Sequence, residues 1–336
     1  MIQGILLALL SGIANGLFSA PMKVIKAWKW ENLWLVFIVT SCLLMPAALV
    51  LTTVPDWMAV LNQAAPGALV SALSFGFAWG FGAILFGRSV ERLGVALSNS
   101  MVIGLSSALG SITPLILHRT LRFEARQMIL FLGILTFLAG VWFCGAAGRK
   151  RDHCLAQESP EKRRSRGGYL FAVLAGVMSA VFNIGYSLAL PISDAGQKLG
   201  YSAFLATNCI WLVMLWAGAI PNIVYCAALL RKQSTGRLFF SPGCGVPWGL
   251  SVLMGLLWGG SIFLYGAAAP RLGNIGPSIG WPLSLAVALL VANLMGVLLG
   301  EWHKVDAGAV RLMRLGVFTL VGAIVLCAVS AMLRAS

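Results

Sequence analysis

Hydrophobic positions in this chain run unbroken for about twenty residues at a time instead of alternating with polar ones, and short hydrophilic gaps separate the runs. Ten such runs recur, over 3–22, 32–52, 67–88, 93–117, 127–147, 168–190, 201–230, 246–267, 275–299 and 310–333. A hydrocarbon core roughly 30 Å thick takes about 20 helical residues, so each run predicts one crossing. Runs this long and this uniformly apolar exclude the alternation of barrel strands, and lipid requires backbone groups to pair within the segment, as they do in a helix. The expected fold is an all-α membrane protein of ten transmembrane helices. The first run has no basic region ahead of it, Pro21 follows its small residues, and its charges come after it. It is expected to be a retained helix and not a secretory signal.

The stretch Phe75 to Gly94 returns as Met254 to Gly273. At an offset of 179, Gly76 meets Gly255, Trp79 meets Trp258, Gly80 meets Gly259, Gly87 meets Gly266, and Arg92-Leu93-Gly94 meets Arg271-Leu272-Gly273. The first runs of the two halves match more weakly. At an offset of 164, Gly12 meets Gly176, Asn15 meets Ser179, Phe18 meets Phe182 and Ser19 meets Asn183. A doubled hydrophobic chain points to a transporter with internal pseudosymmetry. Because five crossings is an odd number, the second half enters the membrane in the opposite sense from the first. The expected architecture is two inverted five-helix repeats, 1–148 and 168–336. Between them, the charged and Ser- and Pro-containing stretch 149–167 predicts a mobile cytoplasmic linker, since it cannot bury enough apolar surface to fold.

Composition fixes the solvent: 59% of residues are hydrophobic, 10% are charged, and the mean hydropathy is +0.90. A net charge of +14 would suggest nucleic acid in a soluble protein. Here the basic residues sit in the gaps, so no nucleic-acid partner is expected and the lipid bilayer is the surrounding medium. Counting charges at run ends with the adjoining gap, 18 of the 24 Lys and Arg belong to the gaps after runs 1, 3, 5, 7 and 9, and 6 to the other gaps and the termini. The positive-inside bias then places the first set in the cytoplasm and both termini outside, in a multi-pass membrane protein. Arg119, Arg122 and Arg126 after run 4 are the principal exception. Trp28, Trp30, Trp34 and Trp57 are expected in the interfacial aromatic belt.

Polar residues inside the runs carry the candidate chemistry. Asn15 and Ser19 stand one turn apart, as do Ser179 and Asn183 with Tyr186 near the same face. Asn99, Ser106, Gly110 and Thr113 form a similar stripe, and Asn99 meets Ser278 at the 179 offset. Lipid offers such groups no partner, so they face protein, water or ligand. Interhelical hydrogen bonding is the plain alternative for any one of them. Their recurrence in both halves favours a lined cavity with a site near the membrane midplane. Trp79, Trp258, Tyr265 and Trp281 supply flat rings that could cover the apolar face of a sugar while the amides and hydroxyls bond its hydroxyls.

Three pieces carry a family resemblance: Ala20-Pro21-Met22-Lys23 followed by Lys26-Ala27-Trp28-Lys29-Trp30-Glu31, the stretch Phe75 to Gly94, and Asn293-Leu294-Met295-Gly296 leading to Gly300-Glu301-Trp302-His303-Lys304. On these the chain resembles the L-rhamnose-proton symporter family of the drug/metabolite transporter superfamily. The resemblance implies ten helices, the inner membrane and uptake of a sugar such as L-rhamnose with a proton. It also implies an acidic residue a few positions before Trp281, where this chain has Pro277. No Asp or Glu lies in the middle of any run, so the coupling ion, proton or sodium, stays open. Glu301, inside a family-like motif, is the first candidate for a coupling or gating carboxylate. Lys23, Arg92 and Arg271 are the other coupling or gating candidates, and Glu31 and Glu91 are further ionisable groups close to the membrane.

Seven cysteines without a Cys-x-x-Cys spacing and three histidines give no metal site, and no phosphate-binding Gly-x-x-x-x-Gly-Lys motif is present. No cofactor and no enzymatic activity are expected. The leading function is sugar uptake by a secondary transporter. A metabolite or drug exporter is the alternative, and a membrane enzyme acting on lipid-linked sugars is the weaker one. Oligomeric state is not legible.

Overall fold

The computed structural model describes residues 1–93, 95–121, 124–156, 166–298, 300, 302 and 305–333. Among them ten helices are long and apolar enough to cross a membrane. Helix 1 spans Ile2–Leu17, helix 2 Trp30–Thr53, helix 3 Pro66–Leu93, helix 4 Val95–Leu117 and helix 5 Ala125–Ala156. Helix 6 spans Arg166–Leu188, helix 7 Ala203–Gln233, helix 8 Gly245–Arg271, helix 9 Gly276–Leu298 and helix 10 Ala307–Met332. The ten crossings read from the sequence are all present. No strand occurs among the described residues.

The linker is shorter than expected, because helix 5 continues through Ala156 and helix 6 begins at Arg166. Arg149, Lys150 and Arg151 thus extend a helix beyond its apolar run, and cations suit a helix C-terminal end. Positions 157–165 lie outside the described residues.

Neighbours follow the doubling of the chain. Helix 1 packs on helices 8 and 9, and helix 6 packs on helices 3 and 4. Helix 7 packs on helix 3, helix 2 on helix 8, and helix 5 on helix 10. The repeated glycines are the contact points. Gly80 of helix 3 lies against Gly218 and Pro221 of helix 7, whereas Gly255 of helix 8 lies against Thr40 of helix 2. Gly12 meets Ser284 and Val287 of helix 9, and its match Gly176 meets Leu105 and Val102 of helix 4. Small residues let membrane helices approach closely, where dispersion replaces the hydrophobic effect as the source of cohesion.

These contacts give a direct test of the packing. A Cβ at Gly255 would stand 2.6 Å from the stiff β-branched Cβ of Thr40, while one at the neighbouring Gly260 would meet only Met45 at 3.8 Å. Gly255→Ala is expected to destabilise by about 1–3 kcal/mol, and Gly260→Ala to leave stability unchanged or slightly raised. Thermal unfolding in detergent compares the two.

Helix 2 departs from regular geometry. Val39–Leu44 forms a π-helical turn just ahead of Pro46, which has no N–H to donate to the preceding turn. Two of the tryptophans assigned to the interfacial belt are instead inside the protein. Trp34 is 5% exposed and its Nε1 donates to Asn222 Oδ1 at 3.0 Å. Trp28 Nε1 donates to the Leu238 carbonyl at 3.1 Å, edge-on to Phe239 and Trp248. Both rings found protein partners for their N–H groups, so neither needs the water of the interface.

Arg126, one of the charges on the sparsely basic end, is buried. Its Nη2 donates to the Leu272 carbonyl at 2.8 Å and its Nη1 to Asn274 Oδ1 at 3.4 Å. It caps the C-terminal end of helix 8, a place that favours a cation. Its departure from the charge bias therefore has a local structural cause.

Candidate functional site

A column of aromatic rings passes through the centre of the bundle. It leads from Trp30 through Trp34 and Phe37 on helix 2 to Trp258, Trp79, Phe182, Trp211, Tyr186, Tyr265 and Trp281, with successive centroids 4.5 to 5.8 Å apart. The indoles matched in the doubled stretch, Trp79 and Trp258, stack on each other at 5.1 Å and 12°. Around that pair the rings also correspond. Phe18 stacks on Phe37 at 5.7 Å and 25°, and its match Phe182 stacks on Trp211 at 5.5 Å and 25°.

On one side of the column helices 4, 6, 8 and 9 share a buried polar network. Asn183 is fully buried. Its Nδ2 donates to the Gly110 carbonyl at 2.8 Å and to the Pro277 carbonyl at 3.3 Å, while its Oδ1 accepts from the Tyr265 hydroxyl. One turn away, Trp281 Nε1 donates to the Ser106 carbonyl and Oγ, each at 3.2 Å, and Ser106 Oγ donates to Ser179 Oγ at 2.9 Å. The structure thus brings together Ser179, Asn183, Tyr186, Tyr265 and Trp281, with Ser278 buried beside them on helix 9. Pro277 stands where the resemblance implies an acid. Its carbonyl is the acceptor shared by Asn183 and Tyr265, and a carbonyl cannot change charge.

Ser19 and Asn99 lie elsewhere. They line a cavity of about 680 Å³, counted with its mouth, between the C-terminal ends of helices 1, 5 and 9 and the start of helix 4, together with Ser100, Arg151, Asn293 and Trp302. Asn15 sits half-buried one turn before Ser19 on helix 1. Ser19 and Asn99 are the repeat counterparts of Asn183 and Ser278, so one pair borders open space while its counterpart is packed shut.

A second cavity of about 370 Å³ opens at the same end of the bundle, lined by Trp30, Glu31, Arg88 and Tyr225 among others. Glu31 is 3% exposed, the only buried carboxylate among the described residues, and its Oε1 accepts from Thr235 Oγ1 at 2.7 Å. Arg88 lies over the Tyr225 ring at 5.6 Å. Arg92 lies over the ring of Phe171, and Arg271 donates to the Ala267 carbonyl on its own helix at 2.6 Å. Glu301 lies outside the described residues, as do the side chains of Lys23 and Glu91.

The opposite end is tied together. Tyr201 donates to Asp56 Oδ2 at 2.9 Å, His118 Nε2 pairs with Ser187 Oγ at 2.8 Å, and Ser330 Oγ donates to the Arg126 carbonyl at 2.8 Å. No group of three or more His, Cys, Asp or Glu that could hold a metal occurs among the described residues.

Sequence reasoning passed over Phe37, Phe182 and Trp211 in the column, and over Asn208 and Asn222 on helix 7. Asn222 joins helices 2, 3 and 7 by accepting from Trp34 and donating to the Gly80 carbonyl at 3.0 Å. The available signal was the presence of two amides within an apolar run, which is unusual enough to single out a helix.

A family model described as L-rhamnose-proton symport protein matches residues 1–332. Relatives named L-rhamnose-proton symporter from Klebsiella pneumoniae, Shigella flexneri and Escherichia coli are each 27% identical over 328 residues, covering 95% of this chain and 95% of theirs.

Proposed function

The chain belongs to the L-rhamnose-proton symport protein family, and from that membership and the site above we propose that it takes up L-rhamnose or a closely similar sugar across the inner membrane, coupled to protons. The observation that carries the reading is the meeting of aromatic rings with buried amides and hydroxyls at the junction of helices 4, 6, 8 and 9. Rings cover the apolar face of a pyranose, and Asn183 and Tyr265 can exchange their mutual bond, and Ser106 its bond to Ser179, for bonds to sugar hydroxyls. Counterflow in proteoliposomes tests it: vesicles loaded with L-rhamnose should draw in labelled L-rhamnose. No exchange with L-rhamnose or any other monosaccharide would reject a sugar substrate.

The two inverted five-helix halves give such a site a way to face either side in turn. In the present arrangement the cavities open toward the basic end and the opposite end is tied shut. On the charge bias this state faces the cytoplasm, with both termini outside. A membrane-impermeant thiol probe on intact cells is expected to label Ser336→Cys and to spare Pro160→Cys. The reverse pattern contradicts the orientation.

Coupling requires a group that gains and loses a proton between steps, and Pro277 removes the acid implied at the site. Two carboxylates remain as candidates, Glu301 in its motif and Glu31. Glu31 has the stronger physical case. It is buried, borders a cavity open to the basic end, and is held by Thr235. The ionisable groups around it are Arg88 and Tyr225 in the same cavity and Cys226 on helix 7.

A further inference from the structure

Buried polar atoms in a membrane protein find partners, because hydrocarbon offers none. Three neighbouring side chains on helices 6 and 7 break this rule. Asn208 is 1% exposed, and both its Oδ1 and its Nδ2 lack a hydrogen-bond partner among the described residues. The Nε1 of Trp211 and the hydroxyl of Tyr186, both on fully buried side chains, lack one too. Asn208 and Trp211 stand three residues apart on helix 7 and so share a face. The Trp211 ring is stacked on Tyr186 at 4.5 Å and 9°. Tyr186 in turn packs against Tyr265, whose hydroxyl is bonded to Asn183.

We propose that Asn208, Trp211 and Tyr186 form a binding edge for the hydroxyl groups of a small neutral polyol, continuing the Asn183 site onto helix 7. The inference rests on the sugar-uptake reading and adds to it the residues that select the hydroxyl pattern. The unpaired atoms comprise one amide, which both donates and accepts, one phenol, which does the same, and one indole, which only donates. That set suits a ligand with several hydroxyls. Phe182, Trp211 and Tyr186 form a continuous ring stack beside these atoms, an apolar wall against which the C–H groups of such a ligand can pack. None of the three is charged, which suits a neutral molecule.

The position explains why the atoms are unpaired in this state. They lie near the C-terminal end of helix 6 and the start of helix 7, on the end of the bundle that is tied shut, and Trp211 Nε1 is pressed against Gly266 of helix 8. When helix 8 withdraws and that end opens, the three groups become the outer wall of the site. A buried polar group left unpaired destabilises the state that holds it, and a bond to the arriving sugar is gained without breaking one inside the protein.

Tyr186→Phe is the sharpest test, because it deletes an unpaired atom and keeps the ring. If the hydroxyl is only a packing group, its removal leaves both stability and transport unchanged or improved. As a binding group, its removal is expected to leave thermal stability unchanged or raised while raising KM for L-rhamnose about tenfold. Asn208→Ala is expected to raise it further. Equilibrium binding of L-rhamnose and its monodeoxy analogues to the purified variants gives the second readout. Tyr186→Phe should bind one particular deoxy analogue as well as the wild type does, the analogue lacking the hydroxyl that Tyr186 contacts. Wild-type KM and unaltered analogue ranking in both variants would overturn the inference and leave sugar uptake standing. A wild-type protein that binds no sugar would overturn the uptake reading, and this inference with it.

Discussion

Replacing Asn183 by leucine is expected to lower sugar uptake on the order of 10²-fold, the largest effect of any single substitution in the bundle core. The amide is bonded on three sides at once, to the Gly110 carbonyl of helix 4, the Pro277 carbonyl of helix 9 and the Tyr265 hydroxyl of helix 8. Leucine fills the volume and supplies none of these bonds, and in a membrane interior no water replaces them. Tyr265→Phe removes one bond and keeps the ring, so a fall of about tenfold is expected. Asn15→Ala, which acts from the half-buried face of helix 1, is expected to have a smaller effect. Initial uptake rates at saturating and at low sugar concentration, with expression measured alongside, separate these outcomes. Uptake unchanged in both affinity and rate for Asn183→Leu would reduce the network to helix adhesion.

The second large effect concerns the energy source. With Pro277 at the position of the implied acid, Glu31→Gln is expected to abolish accumulation of sugar above its external concentration while leaving exchange down a gradient intact. Glutamine retains an oxygen to accept from Thr235 and cannot carry a proton. With the membrane potential held at zero, a gradient of one pH unit lets one proton per sugar sustain at most about tenfold accumulation, and the variant should show none. Glu301→Gln, measured in parallel, distinguishes the two carboxylates. Retained accumulation in Glu31→Gln and loss in Glu301→Gln would move the coupling proton to the end of helix 9.

Much of the fold was legible because lipid imposes one rule on every segment. Length and apolarity alone located ten helices, and Gly76, Gly80 and Gly87 with their matches Gly255, Gly259 and Gly266 proved to be helix contact points. Other features depend on who meets whom. The repeat aligned Trp79 with Trp258, but their stacking is a tertiary contact that no spacing specifies. Trp34 resembled an interfacial tryptophan because it follows a basic gap, and it is buried because Asn222, far along the chain, accepts its N–H. Arg126 resembled a topological signal and is a helix cap.

The candidate site was legible in part for the same reason. Asn183, Ser179 and Tyr186 stood on one helical stripe, and Trp281 followed from the aromatic search. Ser19 and Asn99 sit on matching stripes, yet the structure holds them at a separate cavity, since a repeat specifies equivalent positions and not which of them is closed. Asn208 and Trp211 were missed because neither offset pairs helix 7 with helix 2, although two amides in one apolar run already marked the helix. A repeat comparison finds only what both halves keep.

The central claim is uphill sugar transport driven by protons. The most direct measurement is uptake of labelled L-rhamnose by proteoliposomes containing the purified protein, under an inward proton gradient with sodium absent. The expected result is transient accumulation above the external concentration, collapsed by a protonophore. Sugar that equilibrates at the same rate and to the same level with and without the gradient would contradict it.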